Sequence, residues 1–114
     1  MKALYKLNFD CGRNGSLEGI FTAEKEDVEV LVEKEIPIYF GEVLGKHSEV
    51  YGTVERDEIE FITDAEEVIN IFEKYKLSSG YNPFDYSVKS GFFEEDDVTV
   101  KEAIARFKGG KIWF

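Results

Sequence analysis

The sequence predicts an α+β fold in which a mainly antiparallel sheet, made of a hairpin and a three-stranded meander, packs against about three helices. Two patterns lead to this class: runs of alternating apolar and polar residues between glycine-containing turns, and three apolar stripes with a helical period. The 114 residues include no Pro/Ser/Gly-rich linker, and 43% of them are hydrophobic. We therefore expect a single domain, residues 1–114, with its own apolar core.

The first two strands form a predicted hairpin. In KALYKLNFD, apolar side chains occupy alternate positions, which is the period of a half-buried strand. CGRNGS follows with Gly12, Asn14 and Gly15, residue types that tolerate positive φ. LEGIFTA then returns as the second strand, so the spacing predicts two antiparallel neighbours joined by a short turn.

A first helix is predicted near residues 24–33. Thr22 is a candidate N-cap, and the acidic residues of the first turn lie where the helix dipole favours negative charge. The apolar stripe of AEKEDVEVLVEK consists of Val28, Leu31 and Val32.

Three further strands are predicted before the next helix. EIPIYFGEVL and EVYGTV flank the loop GKHS, and EIEFIT follows a turn at residues 55–57. Short connections of this kind indicate an antiparallel meander.

The second helix is predicted near residues 64–77. Thr63 and Glu66 have the spacing of a capping box, and Gly80 is the expected stop signal. Apolar residues recur at i, i+3, i+4 and i+7 and form the expected buried stripe: Val68, Ile71, Phe72 and Tyr75.

The third helix is predicted near residues 100–108. Thr99 and Glu102 repeat the capping-box spacing, and Gly109-Gly110 ends the pattern before the tail KIWF, a candidate edge strand. Its apolar stripe is Val100, Ala103, Ile104 and Phe107.

These periods predict which side chains form the core: Leu7, Phe9, Phe21, Leu31, Phe40, Phe61, Val68, Phe72, Ile104 and Phe107. GIFTAEKEDVEVLV and EFITDAEEVINIF share one plan of strand, threonine, acidic first turn and apolar helix, so an internal repeat is one hypothesis. Helix-cap chemistry alone would produce much of the same likeness and is the simpler explanation.

Charge and composition exclude several function classes. The net charge is −10, from 24 acidic and 14 basic residues, and the basic residues are scattered singly, which argues against direct nucleic-acid binding. No apolar run reaches the length of a membrane span, which argues against a membrane partner. A single cysteine cannot form an intramolecular disulfide, so we expect a cytoplasmic protein. The simplest role of the acidic excess is solubility.

No motif with a known chemical mechanism is present, so we expect neither an enzyme nor a cofactor. His47, the only histidine, lies in the hairpin loop GKHS, where a turn explains it better than a metal site completed by Glu42 and Glu49. Cys11 and His47 are the only thiol and imidazole, and chance composition accounts for the pair. The glycine loop CGRNGSLEG leads into a strand, whereas phosphate-binding loops lead into a helix.

Three stretches carry a resemblance to known proteins: KLNFDCGRNGSLEGIF, YFGEVLGKHSEVYGTV and SGYNPFDYS. Together they resemble a group of small proteins encoded by bacteriophages and prophages. The resemblance implies a phage or prophage origin and the cytoplasm of the host cell as location. Small acidic phage proteins often bind and redirect host proteins, including defence systems, and the resemblance implies a partner of that kind.

Two surfaces are candidate partner-binding sites. SGYNPFDYS places Tyr81, Phe84 and Tyr86 around a proline without a clear helical or strand period, so these rings form either a recognition loop or a lid over the core. FFEEDDV carries four consecutive acids, which either favour the dipole of the following helix or attract a basic partner: Glu94, Glu95, Asp96 and Asp97.

The leading functional hypothesis is a phage-type accessory protein that binds a host or defence-system protein with a basic surface. Inhibition of that partner, with carboxylates in place of nucleic-acid phosphates, is one form of the hypothesis. The alternative is a small-molecule binding module with a pocket between sheet and helices, in which Tyr51 or Tyr81 supplies a polar group. An enzyme of unknown chemistry is the third.

Overall fold

The structure is a computed structural model that describes residues 1–12, 15–43, 49–95 and 97–109. Its strands in chain order are β1 (Lys2–Asp10), β2 (Ser16–Glu24), β3 (Ile38–Gly41), β4 (Val50–Gly52), β5 (Ile59–Thr63), β6 (Ser79–Gly80) and β7 (Ser87–Val88). Its α-helices are α1 (Lys25–Glu33), α2 (Glu66–Lys74) and α3 (Val100–Lys108), and short 3-10 helices cover Arg56–Glu58 and Pro83–Asp85. The predicted α+β class is confirmed, with helices at the three predicted places.

The strands form two antiparallel sheets, with the orders β5-β1-β2-β6 and β4-β3-β7. The chain divides into two compact units, and each contains one sheet. The first unit comprises residues 1–29 and 55–82, and the second comprises the described residues of 30–54 and 83–114. The expectation of a single domain stays a prediction.

β1 and β2 form the predicted hairpin. Their register runs from Lys2 opposite Glu24 to Asp10 opposite Ser16. At the turn the Cys11 N–H donates to the carbonyl of Gly15, which has a φ of 109° that glycine adopts without strain. Alternate side chains of both strands are buried and form the apolar face of the hairpin: Ala3, Tyr5, Leu7, Phe9, Leu17 and Phe21.

The predicted meander is wrong in its third strand. β3 and β4 pair as expected, but β5 pairs with β1 and not with β4. β5 is held beside β1 by the backbone ladder and by a long-range contact that sequence periodicity cannot reveal. The Glu58 carboxylate accepts the backbone N–H groups of Glu55 at 2.8 Å and Asp10 at 2.9 Å, which holds the start of β5 beside the end of β1.

Two glycines allow β6 to approach β2. Gly19 lies opposite Gly80, and a Cβ on Gly19 would lie 2.0 Å from the Tyr81 carbonyl oxygen. A Cβ on Gly80 would lie 2.2 Å from the Glu18 carbonyl oxygen. Gly80 therefore does not stop the second helix, as the sequence suggested, but permits a close backbone contact.

α2 packs on the face of the sheet opposite Tyr5. Its buried side chains Ile69 and Phe72 form an apolar cluster with Leu4, and Ile20 packs against the cluster. At the rim of this contact the Glu73 carboxylate accepts hydrogen bonds from the Lys2 ammonium and the Thr22 hydroxyl, each at 2.9 Å. These two hydrogen bonds lower the pKa of Glu73.

Of the three predicted N-cap residues, one caps its helix and two do not. Thr99 caps α3 as expected, because its Oγ1 accepts the Glu102 N–H at 3.1 Å. Thr22 lies within β2 and bonds Glu73 instead of capping α1. The residue that caps α2 is Ala65, whose N–H donates to Thr63 Oγ1, so α2 is shorter than the predicted 64–77.

α1 and α2 end in the same way, each with a residue other than glycine in the left-handed region. After α2, the Leu77 N–H donates to the Phe72 carbonyl and the Lys76 N–H to the Glu73 carbonyl, with Lys76 at a φ of 52°. Glu35, with a φ of 49°, has the same position after α1. Both are Schellman motifs, in which this position usually belongs to glycine.

The second unit has its own apolar core. Its buried side chains come from the three-stranded sheet, the end of α1, α3 and the connecting segments: Leu31, Ile36, Ile38, Phe40, Val50, Val54, Pro83, Phe84, Val88, Val98, Val100, Ala103 and Ile104. α3 contributes three of its four predicted apolar residues to this core, whereas Phe107 is only half-buried beside Phe93.

Seven of the ten predicted core residues are buried, and Phe61, Val68 and Phe107 are not. Phe61 is 49% exposed because it belongs to β5, which ends the sheet. Val68 is exposed because α2 contacts the sheet through Ile69 and Phe72, so the predicted stripe was centred too far round the helix.

We predict that Lys76→Gly raises the free energy of unfolding by about 0.5 to 1 kcal/mol, because glycine removes the strain of a left-handed residue with a Cβ. Urea unfolding followed by circular dichroism measures the change. Lys74→Gly is the matched control inside α2 and should lower stability by about 0.5 to 1 kcal/mol. Equal losses in both variants would contradict the motif at Lys76.

We predict that Phe72→Ala lowers the free energy of unfolding by about 3 to 5 kcal/mol, because a 7%-exposed aromatic ring leaves a cavity. Ile71→Ala, one position along α2 and 54% exposed, should cost less than about 1 kcal/mol. The same unfolding experiment compares them, and similar losses would show that the buried face of α2 is assigned wrongly.

Candidate functional site

The predicted aromatic loop contributes to the core of the second unit. Phe84 is buried and Tyr86 packs against Phe40 with ring centroids 4.9 Å apart. Tyr81 is half-buried in the first unit, where its N–H donates to the Glu18 carbonyl at 3.0 Å. The lid interpretation therefore applies to Phe84 and Tyr86, and Phe84 is not an accessible anchor for a partner.

The acidic segment before α3 is exposed where the structure describes it. Glu94, Glu95 and Asp97 are exposed, and Asp96 lies outside the described residues. Glu95 forms a short ion pair with Arg106, and this contact lowers the pKa of the carboxyl. One of the predicted steering charges is therefore balanced within the unit.

His47 lies outside the described residues, so its assignment to a turn stays a prediction. Cys11 is half-buried, and burial together with the nearby Asp10 and Glu58 carboxylates raises its pKa. A raised pKa keeps the thiol protonated, which does not favour a nucleophile. In the described ranges no group of three or more His, Cys, Asp or Glu is placed to hold a metal ion.

Exposed apolar residues of α2 lie beside the stripe that packs on the sheet. Val68, Ile71 and Tyr75 have the i, i+3, i+7 spacing that places them on one side of the helix, and we call them the outer face of α2. Ile71 is 54% and Tyr75 62% exposed, and Leu77 just beyond the helix is also exposed. The sequence assigned all three outer-face residues to the buried stripe, although five apolar residues on one helix exceed what contact with a sheet requires.

Charged residues flank this face unevenly. Glu66 and Glu67 are exposed in the first turn of α2, and Lys74 and Lys76 are exposed at its end. The Lys74 ammonium lies 5.3 Å from the centroid of the Tyr75 ring, in cation–π contact. The outer face is thus an apolar stripe with an acidic and a basic end.

A groove of about 540 Å³ lies in the first unit between α1 and the sheet edge formed by β1 and β5. This volume is within the range of about 300 to 1,000 Å³ that is typical of ligand pockets. Its apolar lining consists of Tyr5, Val28, Ile59 and Phe61. Its charged lining consists of Lys25, Glu29, Arg56, Asp57 and Glu60.

Both cations of the groove are paired with carboxylates. The Arg56 guanidinium binds both oxygens of Glu29 at 2.9 and 3.0 Å. The Lys25 ammonium lies 2.5 Å from Asp64, lowers the pKa of that carboxyl, and also lies 5.4 Å from the Phe61 ring centroid.

Tyr5 combines a buried ring with a hydroxyl that has no hydrogen-bond partner among the described residues. The side chain is only 6% exposed and its ring contacts Phe21 and Phe61. No hydrogen bond joins the hydroxyl to another described residue, yet no described side-chain oxygen is both fully buried and unpaired. The hydroxyl oxygen is therefore not fully buried, and Tyr5 is one of the residues that line the groove.

The alternative function predicted a pocket between sheet and helices with Tyr51 or Tyr81 as polar group. Such a groove exists within the first unit, but Tyr5 lines it and neither of those two tyrosines does. Tyr51 belongs to the second unit, where the Lys89 ammonium lies 4.8 Å from its ring centroid. The sequence missed Tyr5 because strand alternation identifies it as an ordinary core residue.

The function has to be inferred from the geometry of the described residues. Within the described part of the chain, no helix has the length and apolar character needed to cross a membrane. No protein-family model, curated protein or solved structure matches this chain.

Proposed function

We propose that this protein acts by binding another protein, with the outer face of α2 as the principal contact and a basic surface on the partner. The observation that carries the proposal is that Ile71 and Tyr75 are more than half exposed beside the stripe of α2 that packs on the sheet. Apolar side chains that line up outside the core are typical of interaction sites.

Burial of the outer face supplies the affinity. Each square ångström of apolar surface removed from water contributes about 25 cal/mol. An Ile and a Tyr held on a helix lose little conformational freedom on binding, and tyrosine is enriched among residues that dominate interface energies. We therefore assign the anchor for the partner to Ile71 and Tyr75 instead of the buried Phe84.

Charge decides what kind of partner fits. The net charge of −10 repels a second copy and attracts a basic surface, and Glu94, Glu95, Asp96 and Asp97 would add to this attraction. The ends of α2 carry opposite charges, so an antiparallel pair of α2 helices from two copies is the competing arrangement. The two arrangements respond oppositely to salt.

A host or defence-system protein is the partner that the resemblance to phage proteins suggests, and inhibition by occupying its nucleic-acid site is one way to act on it. The net charge of −10 supports this form of the proposal, because an acidic chain is attracted to a basic binding surface. Phage origin and cytoplasmic location are part of the same proposal.

The first experiment compares Ile71→Ser/Tyr75→Ser with the parent in binding to a partner purified after capture from host lysate. The double variant should weaken affinity at least tenfold, mainly through faster dissociation, because a hot-spot side chain contributes about 2 kcal/mol or more. Phe92→Ser, which changes an exposed apolar residue in the second unit, is the control and should bind like the parent. Equal binding by all three proteins would overturn the proposal.

The second experiment measures association rates against salt. Binding to a basic partner should slow as salt rises, and replacing Glu94, Glu95, Asp96 and Asp97 by amides should flatten that dependence. Sedimentation of the protein alone tests the competing arrangement, because salt would strengthen contact between two negatively charged copies. Salt-promoted dimers that the Ile71/Tyr75 double variant abolishes would replace the partner by a second copy.

A further inference from the structure

The groove in the first unit has an unbalanced set of charges. Lys25 and Arg56 are each matched by a carboxylate, Asp64 and Glu29. Asp57, by contrast, is exposed and makes no hydrogen bond or ion pair with any described residue. The charge that remains to meet a ligand is therefore negative.

Polar and apolar groups are arranged together in this groove. The Tyr5 hydroxyl has no hydrogen-bond partner among the described residues, its side chain is more than nine-tenths buried, and Tyr5 lines the groove. Val28 and Ile59 are buried beneath the opening, and Phe61 is half-exposed beside it. The position of the Lys25 ammonium near the Phe61 ring shows that a cation is stable next to this wall.

We propose that the groove between α1 and β5 binds an arginine side chain of the partner, so the inference rests on the proposed function and specifies its basic ligand. The apolar wall covers the methylene stem, and the guanidinium donates hydrogen bonds to the Tyr5 hydroxyl and the Asp57 carboxylate. Arginine fits better than lysine because the guanidinium holds several N–H donors in fixed positions and can bond both acceptors at once. Guanidinium is also less strongly hydrated than ammonium, so its transfer into the groove costs less.

An anionic ligand fits this groove poorly. It would have to displace Glu29 from a two-point contact with Arg56, or Asp64 from Lys25. It would also approach a chain with a net charge of −10. The same charge attracts arginine.

Titration of the labelled protein with N-acetylarginine methylamide, followed by amide NMR shifts at constant ionic strength, tests the inference. The expected dissociation constant is on the order of millimolar for one side chain, with shifts concentrated at Lys25, Val28 and Phe61. N-acetylcitrulline methylamide has nearly the same shape without the charge and should bind at least tenfold more weakly. N-acetyllysine methylamide should fall between them.

Two variants test the named contacts. Tyr5→Phe removes one oxygen and should weaken arginine binding about threefold to tenfold, and Asp57→Asn should weaken it about tenfold. Glu42→Gln removes one charge from an exposed acid of the second unit that does not line the groove, and it should change nothing. Tyr5→Phe should melt at the parent temperature because the Tyr5 hydroxyl bonds no residue that the structure describes. Asp57→Asn tests the same groove if Tyr5→Phe fails to fold.

Equal binding of the citrulline and arginine compounds, tighter binding of N-acetylaspartate methylamide, or no shifts with any compound would each overturn the inference. The outer-face double variant separates this result from the proposed function. If that variant no longer binds the protein partner and the parent does not bind N-acetylarginine methylamide, the proposed function stands and the groove assignment is wrong. If arginine binds the groove and the double variant still binds the partner, α2 is not the principal contact.

Discussion

The pairing of β5 with β1 is the contact on which the arrangement of the first unit depends. It makes β1 an interior strand, and the Glu58 carboxylate, bonded to the N–H groups of Glu55 and Asp10, joins the end of β1 to the turn before β5. α2 follows β5 and covers Leu4 on one face of β1, while Arg56, just before Glu58, reaches Glu29 of α1. Both candidate sites therefore depend on the pairing of β5 with β1.

The parts of the fold that local rules govern could be predicted from the sequence. Strand alternation and a glycine turn identified the β1–β2 hairpin, and helical periods located all three helices. The partner of β5 could not be predicted, because short turns favour the neighbouring strand and the Glu58–Asp10 contact joins residues 48 positions apart in the sequence. The caps were unreliable for a related reason: Thr22 has the right spacing to cap a helix but bonds Glu73 on another one.

The candidate sites were harder to predict because periodicity shows that a side chain is apolar but not which apolar side chains find a partner. Five apolar residues of α2 form a band that the sheet covers only at Ile69 and Phe72, which leaves Ile71 and Tyr75 exposed. Phe84 shows the reverse case: its loop has no regular period, yet its aromatic side chain is buried in the second unit. Tyr5 is buried like its neighbours in β1, and it differs from them in that its hydroxyl bonds no other residue in the described part of the chain.

The two sites lie on opposite faces of one sheet, and this limits how a single partner can use both. Leu4 lies under α2 and the next residue, Tyr5, lines the groove, and adjacent strand residues point to opposite faces. A rigid flat surface could cover one face only. β5 ends the sheet between the two faces, so a partner that contacts both must pass around that edge with an extended basic segment. A bulge at Ile62 interrupts the ladder there, which makes pairing of that segment as a fifth strand unfavourable and leaves side-chain contacts to supply the affinity.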